Sequence, residues 1–145
     1  MADDELQVRL IALEAAAELR NLTADYACAI DTRDIEAVRR VFSADAILTA
    51  PGRRWEGIDA IAAFFEEDFR ANPAARRHFV TNIRVTDATA GTAAATSYFL
   101  FTNASAEASI LGWGSYTDRV VEFDGRWQIA EKDIAVQHRG PLEDG

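Results

Sequence analysis

The chain is 145 residues long, 49% hydrophobic and 27% charged, which is one domain's worth of sequence with enough apolar residues for a packed core. Its 15 Lys and Arg against 24 Asp and Glu leave a formal charge of −9, so it lacks the basic excess that nucleic acid or an anionic membrane surface would require. A single cysteine, Cys28, excludes an internal disulfide and a Cys-rich zinc site, and the only histidines, His78 and His138, argue against a His-rich metal centre.

The opening Met1-Ala2-Asp3-Asp4-Glu5 is acidic where a secretory leader would be basic, and no apolar run approaches a membrane span, so a cytoplasmic setting is expected. Leu6, Leu10, Leu13 and Ala17, continued by Leu19, Leu22, Tyr26 and Ile30, follow helical spacing and predict a helix over residues 4–30, capped by Asp3 or Asp4. Residues 31–34 break it, and Asp34 can cap a second helix carrying Ile35, Val38, Val41 and Phe42. Residues 46–50 and 53–56 around Pro51-Gly52 predict a small hairpin. Gly57 opens a third helix with Ile58, Ile61, Phe65 and Phe69 on one face, and Asn72-Pro73 stops it.

After Arg76 the period becomes alternating. Residues 78–85, 92–103, 109–123 and 126–138 predict four strands, with Asp124-Gly125 the strongest hairpin signal and Ala90-Gly91 a looser turn. Residues 140–145 read as a polar, frayed tail. With no internal repeat and no linker, residues 1–145 form one domain. Helices first and antiparallel strands after predict an α+β fold, in which a strongly curved, mostly antiparallel sheet packs on three N-terminal helices. Such a sheet makes a cone, and a cone can hold an apolar cavity.

Five short stretches, in this order, carry a resemblance. They are Tyr26-Ala27-Cys28-Ala29-Ile30-Asp31-Thr32-Arg33-Asp34, Val41-Phe42-Ser43-Ala44-Asp45-Ala46, Gly57-Ile58-Asp59-Ala60-Ile61, Arg77-His78-Phe79-Val80-Thr81-Asn82 and Asp124-Gly125-Arg126-Trp127-Gln128-Ile129. Together they resemble the SnoaL-like domain family of the nuclear transport factor 2-like superfamily, over nearly the whole chain. The branch they resemble includes scytalone dehydratase, bile-acid dehydratases and a hexachlorocyclohexane dehydrochlorinase. The resemblance implies the cone fold, but a fold alone does not fix a reaction.

In the dehydratase-type members, an Asp at the end of the first helix contacts a His on the first long strand, and Asp31 and His78 fall at those positions. Histidine is the side chain best suited to accept a proton near neutral pH, and an adjacent carboxylate fixes its tautomer and stabilises the imidazolium. A raised imidazole pKa is the expected signature of such a pair. The plainer alternative is an exposed helix-end carboxylate and a strand-end histidine. The resemblance also places Tyr26 as a hydroxyl that polarises a substrate oxygen, against the alternative of a core tyrosine. Tyr26 and Asp31 are splayed by about 140° on an ideal helix, so both reach one cavity only if the helix ends or bends near Asp31.

Asn82 shares strand parity with His78 and Val80 and is expected to face the same cavity. Asn103 sits where some relatives carry a proton-transferring His or Asp. An amide there can only orient substrate, and a strand-end Asn is the alternative. Trp55 is a candidate pocket wall, with Phe65, Phe69, Tyr98, Phe99, Phe101 and Trp113 as further aromatic surface. Arg53-Arg54 and Arg76-Arg77 read as solvated edges, Cys28 as a buried inert thiol, and His138 as unpartnered.

No phosphate-binding loop, dinucleotide fingerprint or metal-ligand spacing occurs, so no cofactor is expected and no metal residue is assigned. The expected function is a cofactor-independent lyase or isomerase, foremost a dehydratase acting on a hydrophobic cyclic, polyketide- or steroid-like molecule. The catalytic set is His78, Asp31 and Tyr26, with Asn82, Trp55 and Asn103 binding substrate. A non-catalytic subunit, resembling the small subunit of ring-hydroxylating dioxygenases, and a small-molecule binding module are the alternatives. The uncovered sheet face implies a homo-oligomer, and the resemblance favours a trimer over a dimer.

Overall fold

The computed structural model describes residues 1–105 and 109–142. The elements are α1 (Ala2–Thr32), α2 (Ile35–Val41), β1 (Phe42–Ala50), β2 (Arg53–Glu56), α3 (Ile58–Ala71), β3 (Ala75–Thr89), β4 (Thr92–Ala104), β5 (Ser109–Phe123) and β6 (Arg126–Pro141). The six strands form one sheet in the order β2-β1-β6-β5-β4-β3. Every pairing is antiparallel except β1 with β6. The sheet curves around the helices, and its inner side chains meet α1, α2 and α3 in one core that includes Leu19, Leu22, Tyr26, Phe42, Leu48, Phe65, Phe99 and Tyr116.

The end of α1 positions the site. Arg33 adopts the left-handed conformation (φ 55°), and its N–H donates back to the carbonyls of Ala29 and Ile30, which closes the helix. Asp34 then caps α2, its carboxylate accepting from the Ala37 N–H at 2.9 Å as the sequence predicts. The Arg33 guanidinium donates to the carbonyls of Asn72 and Ala74, tying the helix end to the start of β3. Asp31 is thereby carried against the edge strand.

Several boundaries differ from expectation. Phe42 leaves the second helix and opens β1, where its backbone pairs with Ile129. β3 begins at Ala75 and continues to Thr89. Gly140 and Pro141 belong to β6, and the Leu142 N–H donates to the Ser109 carbonyl at 2.8 Å, while 143–145 of the expected frayed tail lie outside the described residues. The largest difference lies in α1. Leu6, Leu10 and Leu13 continue the apolar stripe, yet they are 65%, 59% and 67% exposed, because the core begins only at Ala15. Spacing identified the helix and its stripe, but it could not say where the sheet that covers that stripe ends.

Candidate active site

β3 is the last strand in the sheet, so its outward N–H groups have no strand partner. Asp31 supplies one. Its Oδ2 accepts the His78 backbone N–H at 2.9 Å, and its Oδ1 lies 2.6 Å from His78 Nδ1. A carboxylate that already accepts one hydrogen can only accept the second, so Nδ1 carries the proton and Nε2 keeps its lone pair. Both side chains are largely shielded, 14% exposed for His78 and 8% for Asp31. Burial pushes the His78 pKa down, more than the hydrogen bond and charge of Asp31 push it up; Arg76 and Lys132 lower it further. The expected upward shift is therefore reversed, and the resting imidazole is a neutral base.

His78 lines an open cavity of about 190 Å³, together with Asp68, Asn72, Arg76, Phe101, Asn103 and Arg139. Arg76 is buried rather than solvated, because it shares inward parity with His78 on β3. Its guanidinium pairs with Asp68 Oδ2 at 2.7 Å and donates to the Asn72 carbonyl at 3.2 Å. Phe101 forms the flat wall, its ring 5.8 Å from the imidazole and inclined by 30°. Gly112 permits this, since a Cβ there would lie 2.4 Å from Phe101 Cε1.

Below Phe101 the cone is filled. Phe99 stacks on Tyr116 at 4.4 Å, and Tyr26 meets Tyr116 edge-on at 5.9 Å. Against these rings lies an ion pair that the sequence did not reveal. Lys132 Nζ donates to both oxygens of Asp118, at 2.8 and 3.0 Å, and sits 4.3 and 3.8 Å from the centres of the Tyr26 and Tyr116 rings. Burial lowers the Lys132 pKa and raises those of both tyrosines.

The expected apolar cavity is thus occupied by protein. The open space beside His78 is lined mainly by polar groups, and at about 190 Å³ it falls below the ~300 Å³ typical of pockets that enclose a larger ligand.

Of the six residues singled out, Asp31, His78 and Asn103 come together. Tyr26 does not join them: α1 continues unbroken through Asp31, so Tyr26 keeps its splay and is 3% exposed in the ring cluster. Asn82 is exposed at a bulge, with φ 53°, where the pairing jumps from Thr81 to Arg84. The bulge breaks the parity, and Ile83 packs on the core instead. Trp55 stacks on Phe64 at 4.1 Å, away from His78. Cys28 is exposed beside a groove between α1 and α2. His138 has a partner, Trp113, with the rings 4.2 Å apart on the outer face. Sequence reasoning missed Arg139, which faces Gly112 across the β5–β6 ladder. Among the described residues, no group of three or more His, Cys, Asp or Glu is placed to hold a metal ion, and no helix is long and apolar enough to cross a membrane.

Residues 12–133 match the SnoaL-like domain family. Among solved structures, the fold is similar to hexachlorocyclohexane dehydrochlorinase LinA-type3 from Novosphingobium barchaimii LL02, at 21% identity over 92% of this chain and 94% of that one, with a TM-score of 0.82. It is also similar to a protein provisionally described as a scytalone dehydratase from Novosphingobium aromaticivorans DSM 12444, at 21% identity, 100% and 94% coverage and a TM-score of 0.75. Rv3472 from Mycobacterium tuberculosis, of unknown function, is 26% identical over 83% of this chain and 70% of that one, with a TM-score of 0.75. No curated protein sequence matches the chain at significance.

Proposed function

The chain belongs to the SnoaL-like domain family, and from that premise we propose that it is a cofactor-independent lyase, foremost a dehydratase, with His78 as its base. The observation that carries this reading is the Asp31–His78 pair, closed at Nδ1 and free at Nε2 beside a cavity.

In the proposed reaction, Nε2 takes a proton from a carbon next to a carbonyl. The imidazolium is held by the Asp31 carboxylate, which stays ionised. The carbon–oxygen bond on the adjacent carbon breaks as the double bond forms. The imidazolium returns its proton to the departing hydroxide, so water leaves and neutral His78 is restored. Proton balance closes on one side chain, and no cofactor is invoked. Asn103 is assigned to orienting substrate. Tyr26 is assigned to the core, and Asn82 and Trp55 take no part.

The test is elimination assayed by ultraviolet absorbance over a panel of small β-hydroxy carbonyl compounds. Wild type is expected to form the conjugated product, and His78→Ala to lose turnover with its fold intact by circular dichroism. Full activity in His78→Ala overturns the mechanism.

A further inference from the structure

We propose that the molecule bound beside His78 is a short-chain carboxylate monoanion, whose carboxylate is recognised by Arg139 and Asn103. The inference rests on the reading of His78 as the base and adds the chemical class that the site selects.

Charge pairing in the cavity is the starting point. Asp68 gives one oxygen to Arg76 at 2.7 Å and the other to the Asn72 amide at 2.8 Å. Asp31 gives both oxygens to His78. Arg76 is held by Asp68 and the Asn72 carbonyl. Each of these three charges has a protein partner. Arg139 lines the same cavity and makes no ion pair or side-chain hydrogen bond among the described residues, since its ladder partner, Gly112, has no side chain to offer. The Asn103 amide lines the cavity and is likewise free of a side-chain partner among the described residues.

One guanidinium and one amide at the rim of a small polar cavity suit a planar monoanion, because a carboxylate accepts from the guanidinium fork and from an amide at once. Arg139 is the one charged side chain of the cavity lining without a protein partner among the described residues, and a single guanidinium suits a monoanion better than a phosphate dianion. The flat face of Phe101 is left for the carbon chain, and the length of that chain is limited by the cavity's 190 Å³. The carboxylate and His78 Nε2 then address opposite ends of one small molecule.

Binding is tested without turnover, by NMR of the histidine side chains at constant pH, with butyrate and its neutral isostere butyramide as probes. His138 lies on the outer face against Trp113 and serves as an internal control. Butyrate is expected to shift the His78 signals saturably and to leave His138 unmoved. Butyramide is expected to bind at least about tenfold more weakly, as suits the loss of a charge-assisted contact. Arg139→Gln is expected to erase that preference and Arg139→Lys to keep part of it. Arg139 is exposed, so both variants are expected to fold, as the amide spectrum will show.

Equal binding of the two probes, a preference that survives Arg139→Gln, or no shift of His78 with either probe overturns the proposal. Because these outcomes do not depend on catalysis, they are separable from a failure of His78 as base, which the elimination assay reads.

Discussion

Asp31 and burial act on His78 with opposite signs, and their balance sets how the residue behaves with pH. Burial is the larger effect, so the folded pKa lies below the usual 6.5. Removing the Asp31 charge removes an upward contribution. NMR titration is therefore expected to place His78 below 6.5 in wild type and lower still in Asp31→Asn; an unchanged value in that variant would break the link between the two. The acid limb of kcat/KM is expected at the same depressed value, since only neutral His78 accepts a proton. Linkage runs the same way. The unfolded chain binds this proton more readily, so the stability due to a neutral His78 is present above pH 6.5 and is lost as pH falls through the folded pKa. Asp31→Asn is also expected to lower turnover by about 10² to 10⁴-fold, because an amide can neither enforce the Nδ1–H tautomer nor stabilise the imidazolium. The Asp31–His78 contact was legible from the family's motifs. The direction of the His78 shift was not, because burial is a property of the assembled cone.

Strands β4, β5 and β6 work as one element, in which the absence of side chains on β5 makes room for rings from β4. Gly114 backs onto the Ala135 carbonyl, where a Cβ would lie 1.9 Å from the oxygen, whereas a Cβ at Gly112 meets the movable Phe101 ring. Gly112→Ala is expected to cost about 1–3 kcal/mol in urea denaturation and Gly114→Ala more, since backbone cannot swing aside as a ring can. A reversed order would remove this account of the two glycines. The Lys132–Asp118 pair obeys a different rule. With Lys132 only 1% exposed and Asp118 5% exposed, Lys132→Met leaves a carboxylate stranded, at an expected cost of about 3–5 kcal/mol, and adding Asp118→Leu recovers much of it. A double-mutant cycle by denaturation checks this. Alternation made the inward set of β3 legible as far as Val80, and the same parity marked Arg76 as inward, where a run of two arginines suggested solvent. At Asn82 the bulge ended that legibility, because a bulge depends on strand pairing rather than on composition. Lys132, between Glu131 and Asp133, looks like part of a solvated charge run. Only its cross-strand partner Asp118, distant in sequence, gives it away.

At the scale of the whole molecule, the inner face of the sheet is covered by the three helices and the outer face is not. Phe79, Leu100, Trp113 and His138 are in register across β3, β4, β5 and β6, and Tyr98 adjoins them, next to Thr81 and Ser115 in the neighbouring row. Phe79, Tyr98 and Trp113 are exposed, as are Leu6, Leu10 and Leu13 on the free turns of α1. Monomers seldom leave a contiguous row of exposed rings such as Phe79, Tyr98 and Trp113 in water. A chain of formal charge −9 has no electrostatic reason to self-associate, so any assembly must be driven by apolar burial on this face. Sedimentation equilibrium is accordingly expected to give a homo-oligomer, and the family resemblance alone favours trimer mass over dimer. Trp113→Glu is expected to shift it towards the monomer, because a carboxylate in the centre of the row would have to be desolvated at the interface. His78 lines the cavity on the opposite face of the sheet, so its NMR signals and its response to butyrate should survive that dissociation. Loss of the His78 response on dissociation would instead mean that a neighbouring copy completes the site. A wild-type chain that sediments as a monomer would leave the aromatic row without the role argued for it.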